Sequence, residues 1–178
     1  MTDPLVQLLL ENIQPRSGRE AWHGGPTPVT ALRGVSVEEA SWHPAPGRKS
    51  IWQLTLHIAY WKSTARRRLS SGLGDGEMPF PRTPANWPRV PTAADGALWR
   101  ADVALLKAEH ARLLAIVATV PISRYGATLA GGKRWTVGET ILGIAQHDAY
   151  HAGQILLLKR WWSALQPTRR RTGRRTAT

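Results

Sequence analysis

The sequence predicts an all-α fold, a four-helix bundle, and three observations carry that reading. Apolar residues recur at alternating spacings of four and three over long stretches, the stretches open with Ser, Thr or Asp caps, and no strand-forming alternation of any length interrupts them. With 178 residues, 42% of them hydrophobic, a single domain over 1–165 can bury a full core.

The elements follow in order. Asp3-Pro4 starts a helix whose face is Leu5, Leu8 and Leu9, and Pro15 stops or kinks it. Gly24-Gly25-Pro26-Thr27-Pro28 turns into a short helical piece ending at Gly34, and Ser36-x-x-Glu39 caps another. Ser50-x-x-Gln53 opens a second clear helix, to about Leu69, with Ile51, Leu54, Ile58 and Trp61 as its stripe. Arg66, Arg67 and Arg68 point in successive directions around that helix and read as its solvated, positive end. From Ser71 to Pro91 Gly and Pro are spread throughout. That long crossover reads as a lid pinned by Phe80 and Trp87 or as a plain connection. Thr92 with Asp95 caps a third helix, seamed by Trp99, Val103, Leu106, His110, Leu113, Val117 and Val120, until Pro121 ends it. Arg124 to Lys133 is a turn or hairpin. The last helix, Trp135 to Trp162, has a Thr136/Glu139 capping box and the seam Val137, Ile141, Ile144, Asp148, His151, Ile155, Leu158, Trp162.

Composition excludes several classes. There is no cysteine, so disulfides, thiolate metal sites and a cysteine nucleophile are impossible in this chain. The formal charge is +12, but Arg169, Arg170, Arg171, Arg174 and Arg175 sit in the low-complexity stretch 166–178, which reads as a basic, disordered tail. Those arginines lack interleaved aromatics and no DNA-reading motif is present, so nucleic acid is not the expected partner. No apolar run approaches spanning length and the N-terminus has no basic n-region; a cytoplasmic protein without a membrane partner is expected.

Two members of the last seam region carry the chemistry. His147 and His151 are four apart, roughly 40° in projection, so both rings can reach one ion. His57 lies on the apolar side of the second helix. Imidazoles on apolar stripes are difficult to satisfy singly, whereas a shared divalent ion satisfies all three and leaves a position open. Nitrogen ligation suits zinc or nickel. His110 is a further candidate, as a fourth ligand that would close the site or as a partner of the ligands. Asp148 can orient His57 or an adjoining helix, or pair with an arginine.

SIWQLTLHIAYW and GIAQHDAYHAGQILLLKR resemble the second- and fourth-helix signatures of the DinB/YfiT-like superfamily of metalloenzymes. WHPAPGRKSIW, the FPRTPANWP loop and ALWRADVALLKAEHARL extend the likeness over nearly the whole chain. The resemblance implies an up-up-down-down connectivity and a three-histidine divalent metal site, with His57, His147 and His151 at its ligand positions. Gln154 beside the last histidine and Trp61 join Asp148 and His110 as candidate supports of those ligands. Relatives include glutathione-, mycothiol- and bacillithiol-dependent enzymes.

The expected function is therefore metal-dependent thiol S-transfer to a small electrophile, with a low-molecular-weight thiol as co-substrate. The sequence places no carboxylate on the His57/His147 face as an obvious general base, which favours thiol chemistry over the near alternative, a metal-dependent hydrolase. The other class is a non-catalytic, metal-stabilised protein making weak polyanion contacts. The resemblance also implies a homodimer.

Overall fold

A computed structural model describes residues 3–17, 19, 24–70, 79–129 and 134–166. Among them are α1 (Pro4–Ile13), α2 (Pro28–Ala31), α3 (Val37–Ser41), α4 (Ile51–Ser70), α5 (Gly96–Thr119), a 3-10 turn (Ile122–Arg124) and α6 (Val137–Leu165). The only extended pairing described is a single antiparallel bridge, Thr128 to Thr136. The protein is all-helical over these residues. The expected basic tail, 166–178, lies outside them apart from its first residue, Gln166.

Each helix starts where a side chain can take up free backbone N–H groups. Asp3 accepts from Leu5 at 2.8 Å, and Asp95 accepts from Ala97 and Leu98, both at 3.0 Å. Ser50 and Gln53 bond each other's backbone at 3.2 and 3.1 Å, and Thr136 and Glu139 do so at 3.2 and 2.7 Å. Removing one such cap costs about 1 kcal/mol.

The seams bury as two apolar clusters. One gathers Trp52, Ile58, Trp99, Leu106 and Ile155; the other gathers Ile13, Leu69, Leu113, Val117 and Ile141. Truncating a fully buried member such as Ile155 or Leu113 to Ala should cost about 2–5 kcal/mol. Polar side chains of α4, α5 and α6 occupy the sequence positions between the clusters, and this is where the candidate site sits.

The order in which helices visit the clusters sets their directions. α4 and α5 both run from the first cluster to the second, while α6 runs from the second to the first. Side-chain pairs agree: Trp52 meets Trp99 and Asp102 while Arg66 meets Glu109, and His57 meets His151 while Lys62 meets Asp148. Up-up-down-down connectivity would set the second and third long helices, α4 and α5, antiparallel, and the structure sets them parallel. A parallel pair must be joined by a chain that travels the length of the helices again, which is what the long crossover does.

That crossover is fastened to the helices where it is described; residues 71–78 of it lie outside the described set. Arg82 donates to the buried carboxylate of Asp102 at 2.9 Å, whose other oxygen accepts the Trp52 indole N–H at 2.8 Å. Phe80 meets Tyr60 edge-on at 5.6 Å.

The arginine run at the end of α4 corrects the solvated reading. Arg66 is buried and donates to Glu109 at 3.0 Å, and Arg67 and Arg68 are half-buried. Three like charges in a row mark no single face, so the run cannot reveal that α5 supplies a carboxylate for one of them.

Candidate metal centre

His57 stands nearly two turns into α4, on its buried face, and is 6% exposed. Its Nδ1–H donates to the backbone carbonyl of Asn86 at 2.7 Å, which turns the Nε2 lone pair toward α6. Asn86 adopts a left-handed conformation, φ 68°, one that asparagine tolerates better than most residues. Its side-chain oxygen also accepts the Trp61 indole N–H at 2.8 Å. Trp87, the next residue, stacks on the His57 ring with centroids 3.9 Å apart and planes 11° from parallel.

His147 and His151 approach from α6, one turn apart. His151 Nδ1 pairs with Gln154 Oε1 at 2.6 Å; an amide oxygen only accepts, so Nδ1 carries the proton and Nε2 is left as a lone pair. His147 Nε2 lies 3.2 Å from His57 Nε2. One ligand atom from each of the three rings falls within 4.8 Å of the others, and among the described residues no carboxylate joins the group.

The residues fit a divalent ion. Burial pushes His57 down to about 4, against the pull of the Asn86 carbonyl; burial and the other two rings push His147 down to about 3; burial also lowers His151. All three are therefore neutral imidazoles at pH 7, the form that ligates. The tetrahedral edge expected for nitrogen ligands at 2.0–2.1 Å is about 3.3 Å, close to the His57–His147 separation. A single N–H on His147 Nε2 can satisfy at most one of the two lone pairs that His57 and His151 turn inward, and His147 Nδ1 is buried with no protein partner.

The sequence profile of the DinB superfamily matches residues 29–155. The chain belongs to the DinB superfamily. Neither a comparison with curated proteins nor one with solved structures finds a match.

Within this DinB-superfamily chain the remaining candidates divide. Gln154 holds His151, and Trp61 lies beside both His57 and His147, with centroids at 6.4 and 6.2 Å. Asp148 turns away from the rings and pairs with Lys62, both side chains buried. Burial pushes its carboxyl upward, while the Lys62 ammonium pulls it down. Of the three partners the sequence offered, His57, an adjoining helix or an arginine, the structure gives the adjoining helix, through Lys62 of α4. His110 faces Gln14 of the α1 end at 3.1 Å and takes no place in the three-ring group; burial, then Lys62, pushes it down to about 4. Trp87 reaches the centre and Phe80 stops at Tyr60. Sequence reasoning missed Asn86 and Lys62. The only signal for Asn86 was its place in a turn-rich loop before Trp87.

Two cavities reach the centre from different sides. One, about 500 Å³, lies along α4 and α6 and includes His147 and Arg68 in its lining. The other, about 690 Å³, includes His151, Gln154, Trp87 and Lys49. Tyr150 borders both.

Proposed function

We propose that this protein is a metal-dependent thiol S-transferase acting on a small electrophile. The observation that carries the reading is the convergence of three neutral imidazoles at a point that two separate cavities border. His57, His147 and His151 would hold the ion, zinc or nickel by the nitrogen donor set. Bound there, it supplies Lewis acidity that lowers the pKa of a coordinated thiol.

The protein's own residues do the rest. Asn86 and Gln154 fix the tautomers and ring planes of His57 and His151. Trp87 covers one face of His57 and, as part of a lid formed by the crossover, keeps water from it. Two cavities suit two substrates, a low-molecular-weight thiol and its electrophile, better than they suit hydrolysis, in which water needs no cavity of its own. No described helix is long and apolar enough to cross a membrane, which is consistent with a protein acting on soluble thiols in the cytoplasm. Leu142, Tyr150, Leu157, Trp161 and Leu165 stand exposed along one side of α6, which supports a homodimer.

Metal analysis of untagged protein, followed by a conjugation screen with several low-molecular-weight thiols, tests this. One equivalent of metal and thiol-dependent conjugation, both lost in His151→Ala, support the proposal. Thiol-independent ester cleavage would move it to a hydrolase, and stoichiometric metal without turnover to a binding protein.

A further inference from the structure

The 500 Å³ cavity holds a charge that no described residue answers. Its walls include Trp61, Ala65, Trp135 and Ile144, with His147 in the lining as well. Arg68 also lines it, half-buried, and makes no hydrogen bond or ion pair with any described residue. Arg66, two residues earlier, is by contrast paired with Glu109. The acid nearest in sequence on this part of α6, Glu139, is already engaged by the backbone and hydroxyl of Thr136.

A half-buried guanidinium beside indole and aliphatic walls, with no counter-charge among the described residues, is placed to pair with an anion whose apolar body fills the cavity. Its planar fork suits a carboxylate held bidentately. Arg68 lies two turns beyond Trp61 on α4, and Thr140 two turns before His147 on α6, so cation and imidazole are separated by roughly 10 Å along the helices. We propose that this cavity is the subsite for an apolar carboxylate, with Arg68 binding the carboxylate and His147 bordering the reacting end. The assignment of that occupant as the electrophile rests on the transferase reading; binding of the carboxylate at Arg68 does not.

A competing explanation is that Arg68 serves only the C-terminal dipole of α4, where a cation is favourable. Binding separates the two. Biphenyl-4-carboxylate and its neutral isostere biphenyl-4-carboxamide are titrated by calorimetry against the full chain, zinc-loaded and chelated. The carboxylate should bind at least tenfold tighter than the amide. Arg68→Gln should erase that preference by weakening the acid alone, Arg68→Lys should keep part of it, and Trp135→Ala should weaken both ligands alike. Equal affinity of the wild-type chain for acid and amide, or a preference that survives Arg68→Gln, overturns the proposal. So does a preference removed only by Lys49→Gln, which would place the acid in the other cavity. If Arg68→Gln does not fold, the acid-to-amide ratio in wild type and Arg68→Lys still decides. A preference in a protein that binds no metal would sink the transferase reading and leave the carboxylate site standing; metal without the preference would do the reverse.

Discussion

Two polar groups of the interior lie within about two turns of each other along α4 and are built oppositely. In the ion-pair group Lys62 meets Asp148 and Arg66 meets Glu109, so each charge has its counter-charge from a neighbouring helix. In the histidine group His57, His147 and His151 face one another with lone pairs, beside two cavities. Burial is similar in both: Asp148 is 3% exposed, and His57 and His151 are each 6%. The difference therefore lies in charge pairing and access: Asp148 Oδ1 is buried without a partner among the described residues, yet its charge is met by Lys62, and no cavity lining includes either residue. A closed group holds helices in register, and an open one of equal burial awaits something from outside the chain.

The sharpest way to break that contrast is to make the closed group behave like an open one. Lys62→Met should leave Asp148 as a buried, uncompensated carboxylate and destabilise the fold by about 3–5 kcal/mol, read as a shift in the urea midpoint. Lys62→Met with Asp148→Leu should recover most of the loss, since removing both charges leaves nothing uncompensated. If the single variant is as stable as the parent, the pair is not closed in the sense argued.

The next effect belongs to the open group. An ion bound only by the folded state stabilises it by about 2.7 kcal/mol at a hundredfold excess over Kd. Chelation should therefore lower the melting temperature of the parent, and His57→Ala or His151→Ala should remove that sensitivity. Lys62→Met with Asp148→Leu should retain it. A chelator response identical in all of these variants would show that the histidines are not where the ion binds.

How far this contrast could be read from the residues alone depends on what each partner leaves in the sequence. The i,i+4 spacing of His147 and His151 and the apolar stripe around His57 are periodic signals, and all three rings do meet. The partners of those rings are less regular. Asn86 acts through a backbone carbonyl in a loop, which no side-chain pattern announces. Arg66 and Lys62 find their carboxylates on other helices, at sequence separations of 43 and 86 residues. A charge on α4 cannot show, without the fold, whether it faces water or Glu109. Helix direction was hidden for the same reason: caps and seams are unchanged when a helix is reversed, and only the contacts show α4 and α5 to be parallel.

A smaller effect separates the groups by pH in chelated protein. His57 and His147 have folded-state values of about 4 and about 3, and His110, close to Lys62, about 4, all below the ordinary 6.5. As pH falls through 6.5 the unfolded chain takes up protons that the folded chain refuses, so stability falls from about 6.5 down to about 4 for His57 and His110 and about 3 for His147, and is unaffected above that window. Each such histidine contributes at most about 1.4 kcal/mol per pH unit. His57→Gln and His110→Gln should each flatten the acid limb of a stability-versus-pH curve. An unchanged limb in both would mean that the rings are hydrated enough to titrate normally.

The smallest expected effect tests how the open group is covered. Trp87 lies between His57, stacked at 3.9 Å, and the Lys49 ammonium, 4.5 Å from its ring centroid. None of its atoms is a metal ligand, so Trp87→Ala should leave metal stoichiometry intact. Loss of a stacked ring is worth about 0.5–1.5 kcal/mol, or roughly a 2–10-fold change in a rate or binding constant. If the ring is a cover, that change should appear as faster transfer of the bound ion to a chelator and lower turnover, and Trp87→Phe should restore most of both. If it only pins the crossover to α4, the melting temperature should fall while ion transfer keeps the parent rate, and His57 would then be shielded by Asn86 and Trp61 alone.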